Sequence, residues 1–473
     1  MSFRIAPRID APDPDRANPR QKSTMKRVMF RIVFPVASVV VVAGAVIGTT
    51  IATRATSPQS SNESSAASAP MSTSKCLSQM VDIACYTPVQ YRVAYDLNPL
   101  YSGKVTGRPL TGAGETIVFL ERGGSPTIGH DLRTFDAEFG IPNPKLTIDK
   151  FGHIPPFDPN NPNSVGNAEP TTLAVEYAHA IAPGANLVIA ETAAGPTESG
   201  LRTMMNAADS LIKRGIGDVM VLDTFGVAEN SFPGFKSGNY SSLLNLRYAF
   251  EDAYTHHVTV LVPAGDGGPT GLINDLPPFS VYPYRVVAWP ASDPLVTTVG
   301  GTALHLNNSG NRLSPDVTWA DVFGASGGGE STVFSRPQYQ NAVAGVVGAH
   351  RGMPDISLSA QPGAWGYYSF AGGGGVGWHI FSGTDEATPM MAGIVALADQ
   401  AAGHPLGLIN PALYKLGEQQ QAGANGTGIV SVTSGATTFD AVKGYHAGPG
   451  YNLATGWGTI DAAQFVPALA RLG

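Results

Sequence analysis

The chain has 473 residues, of which 43% are hydrophobic and 14% are charged, so it can bury a large core and is not disordered throughout. Its formal charge of −7 provides no basic surface of the kind that binds nucleic acid, and we expect no nucleic-acid partner. Its 56 glycines and 37 prolines follow no repeat, which excludes a collagen-like chain and indicates many tight turns.

The N-terminal region has the charge pattern of a membrane anchor. Residues 32–52 form an uncharged apolar run of 21 residues, and a helix rising ~1.5 Å per residue would span a hydrocarbon core of ~30 Å. Lysines and arginines are concentrated in residues 1–31, so the positive-inside rule predicts a cytoplasmic N-terminus and an extracytoplasmic remainder. Secretion after signal cleavage is the alternative, although signal peptides normally carry an apolar region of only about 7–15 residues.

A polar tract separates this run from the rest of the chain. Residues 53–75 are rich in serine, alanine and proline and cannot bury enough apolar surface to order themselves, so they are predicted to be a tether. Residues 76–473 contain no second tract of this kind and no internal repeat, which indicates one domain. Cys76 and Cys85 do not match a zinc-binding spacing, and a local disulfide is predicted, with two free thiols as the alternative.

Short apolar runs within this domain alternate with helical patterns, which predicts an α/β fold with a largely parallel sheet. Glycine-rich loops follow several of the runs, so candidate site residues are expected at the carboxyl ends of the strands. The predicted strands cover 116–120, 186–190, 218–222 and 258–263, and helices are predicted over 242–256 and from Pro389 onwards.

Beyond residue 86, sequence motifs follow one another in a distinctive order. They read YTPVQYRVAYDLNPLY (86–101), YAHAIAPGANLVIAET (177–192), VPAGDGG (262–268), WPASDPLVTTVGGTAL (289–304) and GTDEATPMMAGIVAL (383–397). Together they resemble the motifs of the sedolisins, the serine-carboxyl peptidases. The resemblance implies a subtilisin-like fold, with a seven-stranded, mainly parallel sheet flanked by helices, and a serine-type endopeptidase ancestry.

The resemblance places the catalytic serine directly after a Gly-Thr pair, where this chain has Asp385. Ser382 falls three residues too early to take that place. A carboxylate at a helix N-terminus is stabilised by the backbone amides, but it is a poor nucleophile towards an amide bond.

The remaining catalytic positions are mostly replaced as well. The family's base and its orienting acid, four residues apart on one helix, correspond to Pro170 and Ala174, which cannot transfer a proton. Glu169 lies one residue early, rotated ~100° on a helix, and could serve as a remnant of the base if the helix began at Pro170. Asp266 matches the aspartate that the family uses to stabilise the oxyanion.

The resemblance also implies a calcium site near the C-terminus. Because an amide replaces one of the family's two carboxylates, we expect weakened calcium binding, and a hydrogen-bonded turn is the alternative. The residues at the ligand positions are Asp440, Ala441, Gly448, Gly450 and Asn452.

These features support three hypotheses for function. The first is a noncatalytic sedolisin homologue whose cleft, with its glycine runs at 327–329 and 372–375, binds a peptide or a protein. The second is an acid-acting endopeptidase or hydrolase in which Asp385 and Asp266 share a proton and replace the serine mechanism. The third is a structural surface protein. His179 is predicted to be a packed helix residue rather than a base.

Overall fold

The computed structural model describes most of the chain beyond residue 68. The described residues are 69–80, 83–193, 195, 197–222, 226–274, 280–361, 363–372 and 374–473. The predicted cytoplasmic tail (1–31), the predicted anchor (32–52) and residues 53–68 of the predicted tether lie outside them. Within the described ranges, no helix is both long enough and apolar enough to cross a membrane.

Helices and strands alternate along the described residues. The helices are α1 (Thr73–Gln79), α2 (Pro88–Ala94), α3 (Asn98–Tyr101), α4 (Ile128–Phe139), α5 (Pro162–Ile181), α6 (Glu198–Lys213), α7 (Ser241–Leu244), α8 (Tyr248–Thr255), α9 (Ala344–Val347), α10 (Thr384–Ala402), α11 (Asn410–Gln421) and α12 (Ala462–Ala470). The strands are β1 (Thr116–Arg122), β2 (Leu146–Phe151), β3 (Asn186–Thr192), β4 (Val219–Leu222), β5 (Val227–Ala228), β6 (Thr259–Pro263), β7 (Leu272–Asn274), β8 (Ser280–Val281), β9 (Ala288–Trp289), β10 (Thr297–Ala303), β11 (Val317–Thr318), β12 (Gly329–Ser335), β13 (His350–Met353), β14 (Ile356–Ser359), β15 (Ala364–Tyr368), β16 (Gly377–Phe381), β17 (Ile429–Val430) and β18 (Thr459–Ile460).

A mainly parallel sheet organises the fold, as predicted. Its strand order is β11-β10-β6-β4-β1-β3-β2, with β14 also paired to β10, and only β11 runs antiparallel to its neighbour. The four strands predicted from apolar runs are β1, β3, β4 and β6. In the described residues the sheet has eight strands rather than the seven expected. The short β11 has only two residues, too few to produce a periodic sequence signal.

The sheet divides the hydrophobic core into two layers. On β1, Ile117 and Phe119 join the cluster that contains the apolar residues of α5 and α10, whereas Val118 and Leu120 join the cluster that contains α6 and α8. This follows from the alternation of side chains along a strand. Helices therefore cover both faces of the sheet, and α5 packs directly against α10 on one of them.

Two predicted helices have different bounds from those expected. The pattern at 242–256 forms two helices, α7 and α8, and the break between them places Arg247 against the buried Asp293, with Nε and Oδ2 2.6 Å apart. The helix predicted from Pro389 begins five residues earlier, at Thr384. Pro389 removes only one backbone donor from the first turns of α10, and the helix continues through it.

A local disulfide closes a short loop at the N-terminal end of the described chain. A disulfide joins Cys76 of α1 to Cys85, with the Cα atoms 6.0 Å apart. Both cysteines are buried in a small apolar cluster with Trp365 of β15 and Ile380 of β16. The disulfide therefore anchors α1 beside the β15–β16 hairpin.

Candidate active site

Asp385 lies in the first turn of α10, where the chain enters the helix from Gly383. Its side chain is only 5% exposed. Gly383 has a φ of 107°, and a Cβ added to it would lie 2.5 Å from Asp266 Oδ2, so glycine is required by both conformation and space. The helix N-terminus thus presents a carboxylate where a serine hydroxyl was expected from the resemblance.

Asp266 follows β6 and contacts the same helix N-terminus. Its Oδ1 atom accepts hydrogen bonds from the backbone N–H and from the hydroxyl of Thr384, each at 2.9 Å. The Thr384 hydroxyl in turn accepts a hydrogen bond from the Gly265 N–H at 3.0 Å. The structure therefore brings Asp266 beside Asp385, as the resemblance implied, and the Oδ1 contacts with Thr384 are those of a hydrogen-bond acceptor capping a helix.

The base and orienting-acid positions lie on α5, which packs against α10. Pro170 and Ala174 are both inside this helix, and neither side chain can hold a proton. The helix begins at Pro162, so the condition under which Glu169 could replace the base, a helix starting at Pro170, is not met. Glu169 is buried instead, and its Oε1 accepts a hydrogen bond from the Tyr368 hydroxyl at 3.1 Å.

Glu169 is nevertheless an unusual carboxyl group. Burial raises its pKa to about 7, and the hydrogen bond from Tyr368 opposes that shift. It is therefore largely protonated in acid and able to donate a hydrogen bond there. Its position on α5 directs it towards β15 rather than along the face shared by Pro170 and Ala174.

Glu121 is a candidate site residue that sequence reasoning missed. It lies at the carboxyl end of the central strand β1, is 1% exposed, and its Oε2 accepts a hydrogen bond from the Thr171 hydroxyl at 3.1 Å. The pKa of Glu121 is raised to about 8, mainly by burial, with a further upward contribution from the charge of Asp385 and opposing ones from Thr171 and Arg122. The sheet thus contributes a carboxyl group that contacts α5 at Thr171, the residue after Pro170.

Glu386 adds another buried acid to the same helix turn. The Tyr91 hydroxyl donates a hydrogen bond to its Oε1 at 2.7 Å. Burial raises the pKa of Glu386 well above its usual range, and the charge of Asp266 raises it further. The site is therefore a group of carboxyl groups around one helix N-terminus, in which burial favours the neutral form of Glu121 and Glu386.

A serine, a histidine and an aspartate also meet outside this site, but not in a catalytic relay. Ser369 donates its hydroxyl to Asp131 Oδ1 at 2.6 Å, while His130 Nδ1 lies 3.4 Å from that hydroxyl and 3.2 Å from Asp131. A base that activates serine must accept the hydroxyl proton, which here goes to the carboxylate. His179 is fully buried, with Nε2 2.8 Å from the Pro142 carbonyl, and is a packed helix residue as predicted.

The two predicted cleft glycine runs have different environments. A Cβ at Gly327 or Gly328 would lie 2.0 Å from the carbonyl oxygen of Ala264 or Leu453, so the first run is packed against backbone. The second run lies in the loop between β15 and β16, where the Gly374 N–H donates to the Tyr368 hydroxyl at 3.1 Å. Among the described glycines of the two runs, those at 327–329 are buried, whereas Gly374 is exposed and contacts Tyr368, the partner of Glu169.

The five predicted calcium positions lie in two turns near the C-terminus. Asp440 and Ala441 have φ angles of 45° and 62° and are exposed. The carbonyl oxygens of Gly448 and Gly450 accept hydrogen bonds from Asn452 Nδ2 at 3.1 and 3.3 Å. Two of the predicted ligand oxygens therefore face an amide nitrogen, which is a poor fit to a cation site.

Comparison with known proteins supports the resemblance found in the motifs. No family model matches the chain. Kumamolisin from Bacillus sp. (strain MN-32) is 30% identical over 410 residues, which cover 83% of this chain and 65% of kumamolisin. Sedolisin from Pseudomonas sp. (strain 101) is 31% identical over 46% of this chain and 35% of its own length, and human tripeptidyl-peptidase 1 is 34% identical over 39% and 32%.

Among solved structures, Pseudomonas sedolisin, a serine-carboxyl proteinase complexed with pseudo-iodotyrostatin, superposes with a TM-score of 0.64 at 23% identity. The superposition covers 81% of this chain and 97% of that one. The fold and the place of the site at the carboxyl edge of the sheet thus define a subtilisin-like α/β protein. Together, the sequence relatives and the shared fold support membership of the sedolisin family. The chain spans less than two thirds of the length of each of the three relatives compared by sequence.

Proposed function

We propose that this protein is a noncatalytic sedolisin homologue that binds a peptide or protein segment in the family's cleft. One observation carries the proposal. The nucleophile position is Asp385, while Pro170 and Ala174 stand on α5 at the positions of the base and its orienting acid. Loss of a serine nucleophile alone typically lowers turnover by ~10⁶, and Pro170 cannot act as the general base that the family uses.

We further propose that the domain acts outside the cytoplasm, held at the membrane by residues 32–52. The charge asymmetry around that run supports this orientation. The Cys76–Cys85 disulfide supports an oxidising compartment, because disulfides rarely persist in the cytosol. Secretion after cleavage would satisfy the same observations and is distinguished by whether the mature protein stays with the membrane fraction.

The proposal predicts that the full-length protein, purified in mild detergent, does not cleave a mixed peptide library from acid to neutral pH. The triple variant Asp385→Ser, Pro170→Glu, Ala174→Asp is expected to gain acid-dependent cleavage, measured by mass spectrometry of the products. The double variant that retains Asp385 serves as the matched control and should stay inactive, because it has a base but no serine nucleophile.

Binding is measured on the same wild-type sample, with pseudo-iodotyrostatin as the probe because the related Pseudomonas sedolisin is complexed with it. We expect a rise in Tm that Gly374→Trp removes, since Gly374 lies in the exposed loop beside Glu169. Gly345→Trp, at an exposed glycine of α9, is the matched control. Absence of a shift in the wild type would favour a structural surface protein.

A carboxylate-based acid hydrolase is the second candidate. It is favoured because the pKa of Glu121 is raised by burial and, to a smaller extent, by the charge of Asp385. Two carboxyl groups that share a proton can position and activate water, as the hypothesis with Asp266 and Asp385 assumed. Acid-dependent cleavage by the wild type, abolished by Asp385→Asn or by Glu121→Gln, would establish this candidate and refute the noncatalytic proposal.

A further inference from the structure

The C-terminal loop around Asn452 is closed by hydrogen bonds that converge on a single amide. Asn452 is 8% exposed. Its Oδ1 accepts hydrogen bonds from the Ala454 N–H at 3.1 Å, the Thr455 N–H at 3.0 Å and the Thr455 hydroxyl at 3.1 Å. Its Nδ2 donates to the carbonyl oxygens of Gly448 and Gly450.

These contacts determine the orientation of the amide group. If the amide were flipped, its oxygen would face the carbonyl oxygens of Gly448 and Gly450, and its NH₂ group would face the donors of Ala454 and Thr455. Both sides would then lose their hydrogen bonds, so the network permits only one orientation. The amide satisfies both the donors and the acceptors of this buried turn.

We propose that the Asn452 amide takes the place of a cation in this loop, so that the loop closes without calcium. The two glycine carbonyls, which the family resemblance assigns to calcium, already have donors in Nδ2. An ionised aspartate at position 452 could not donate to them, and its second oxygen would face two carbonyl oxygens, an all-oxygen arrangement that suits a hard cation such as calcium. The identity of residue 452 therefore decides between a metal-free and a calcium-dependent loop.

The loop around Asn452 packs against the segment that contains the glycine run at 327–329. Leu453 presents its carbonyl oxygen to Gly328, and the Ala454 carbonyl lies 3.4 Å from the Ser326 hydroxyl. The residues after the loop are held in turn by the Trp457 N–H, which donates to the Asp355 carbonyl at 3.0 Å. A loop closed by Asn452 thus supports the glycine run at 327–329 whether or not calcium is present.

The test compares the thermal unfolding of the full-length wild type with that of Asn452→Asp, in excess EDTA and in millimolar calcium chloride. We expect the wild-type Tm to be the same in both solutions. Asn452→Asp should have a lower Tm in EDTA, and calcium should raise it towards the wild-type value. Asn160→Asp, at an exposed residue, makes the same charge change outside the loop and should not respond to calcium.

Each outcome supports or overturns the proposal. A wild-type Tm that falls in EDTA and recovers with calcium would show that the loop takes a cation despite the amide. A folded Asn452→Asp that ignores calcium would show that the amide does not occupy a cation position. If Asn452→Asp does not fold, calorimetric titration of the wild type with calcium tests the proposal instead. Calcium binding that is detected in the wild type and lost in Asn452→Ala would contradict the proposal.

Discussion

The hydroxyl of Thr384 links the N-terminus of α10, which carries Asp385, to the loop after β6, which carries Asp266. It donates to Asp266 Oδ1 and accepts from the Gly265 N–H, and it precedes Asp385 directly in the sequence. Because this hydroxyl both donates and accepts inside a buried environment, its removal leaves Gly265 without this acceptor for its N–H and Asp266 with one donor fewer. The geometry of Asp385 therefore depends on this residue as much as on the helix.

Thr384→Val should lower the free energy of unfolding by ~1–3 kcal/mol, because the substitution preserves shape but strands a buried donor. Chemical denaturation followed by circular dichroism measures the change. Thr388→Val is the matched control, since Thr388 is equally buried on the same helix but its hydroxyl donates only to the Thr384 carbonyl within α10. Equal losses in the two variants would contradict the linking role of Thr384.

At the scale of elements, α5 carries two prolines with opposite physical consequences. Pro162 occupies the first turn, where a missing N–H costs nothing, whereas Pro170 lies in the interior and cannot donate to the carbonyl four residues earlier. The helix continues beyond Pro170 because its following turns are buried and pack against α10. Tertiary packing therefore overrides an unfavourable local sequence at the former base position.

Pro170→Ala should stabilise the protein by ~1–3 kcal/mol, because alanine restores one helical hydrogen bond and is strongly favoured over proline in a helix interior. The unfolded chain gains some freedom, which offsets part of the effect. Pro162→Ala, on the same helix, should be neutral or slightly destabilising. The denaturation midpoints of the two variants, compared with the wild type, measure these changes in stability. A loss of stability in Pro170→Ala would contradict the prediction and would show that the packing around the helix is adapted to the proline ring.

At the scale of the whole molecule, the described residues include several buried or half-buried carboxyl groups whose pKa values are raised mainly by loss of solvent. The pKa is raised to about 8 in Glu121 and Asp399 and to about 7 in Glu115 and Glu169. The folded state therefore binds more protons than the unfolded state between the ordinary carboxyl pKa of ~4 and these values. Their contribution to stability is fully present below about pH 4 and decreases as the pH rises towards about 8.

The Tm should accordingly be higher in mildly acidic than in mildly alkaline buffer, as measured by calorimetry at constant ionic strength. Asp399→Asn should flatten this dependence, because Asp399 is fully buried near the charges of Glu115 and Asp218 and its amide analogue does not ionise. Glu138→Gln, at an exposed position, is the control for removing a carboxylate. A Tm that rises steadily from acid to alkaline pH would contradict the prediction.

Much of the fold follows from local patterns. The strands β1, β3, β4 and β6 are predictable because each is an apolar run buried on both faces of a parallel sheet. Asp266 and Asp385 are also identifiable, because each lies within a motif whose neighbours determine its position. The two-residue strand β11 and the break between α7 and α8 are not predictable, because short elements depend on their partners rather than on their own periodicity.

The sequence by itself determined the class of fold, the family and the substitutions at positions 385, 170 and 174, since these depend on residue identity and order. Only the tertiary structure decided that burial and the charge of Asp385 raise the pKa of Glu121, because β1 and α10 pack into one core. It alone also decided where Asn452 donates its hydrogen bonds. An amide side chain has an acceptor oxygen and a donor NH₂ group, and its orientation is determined by the donors and acceptors that the fold places around it.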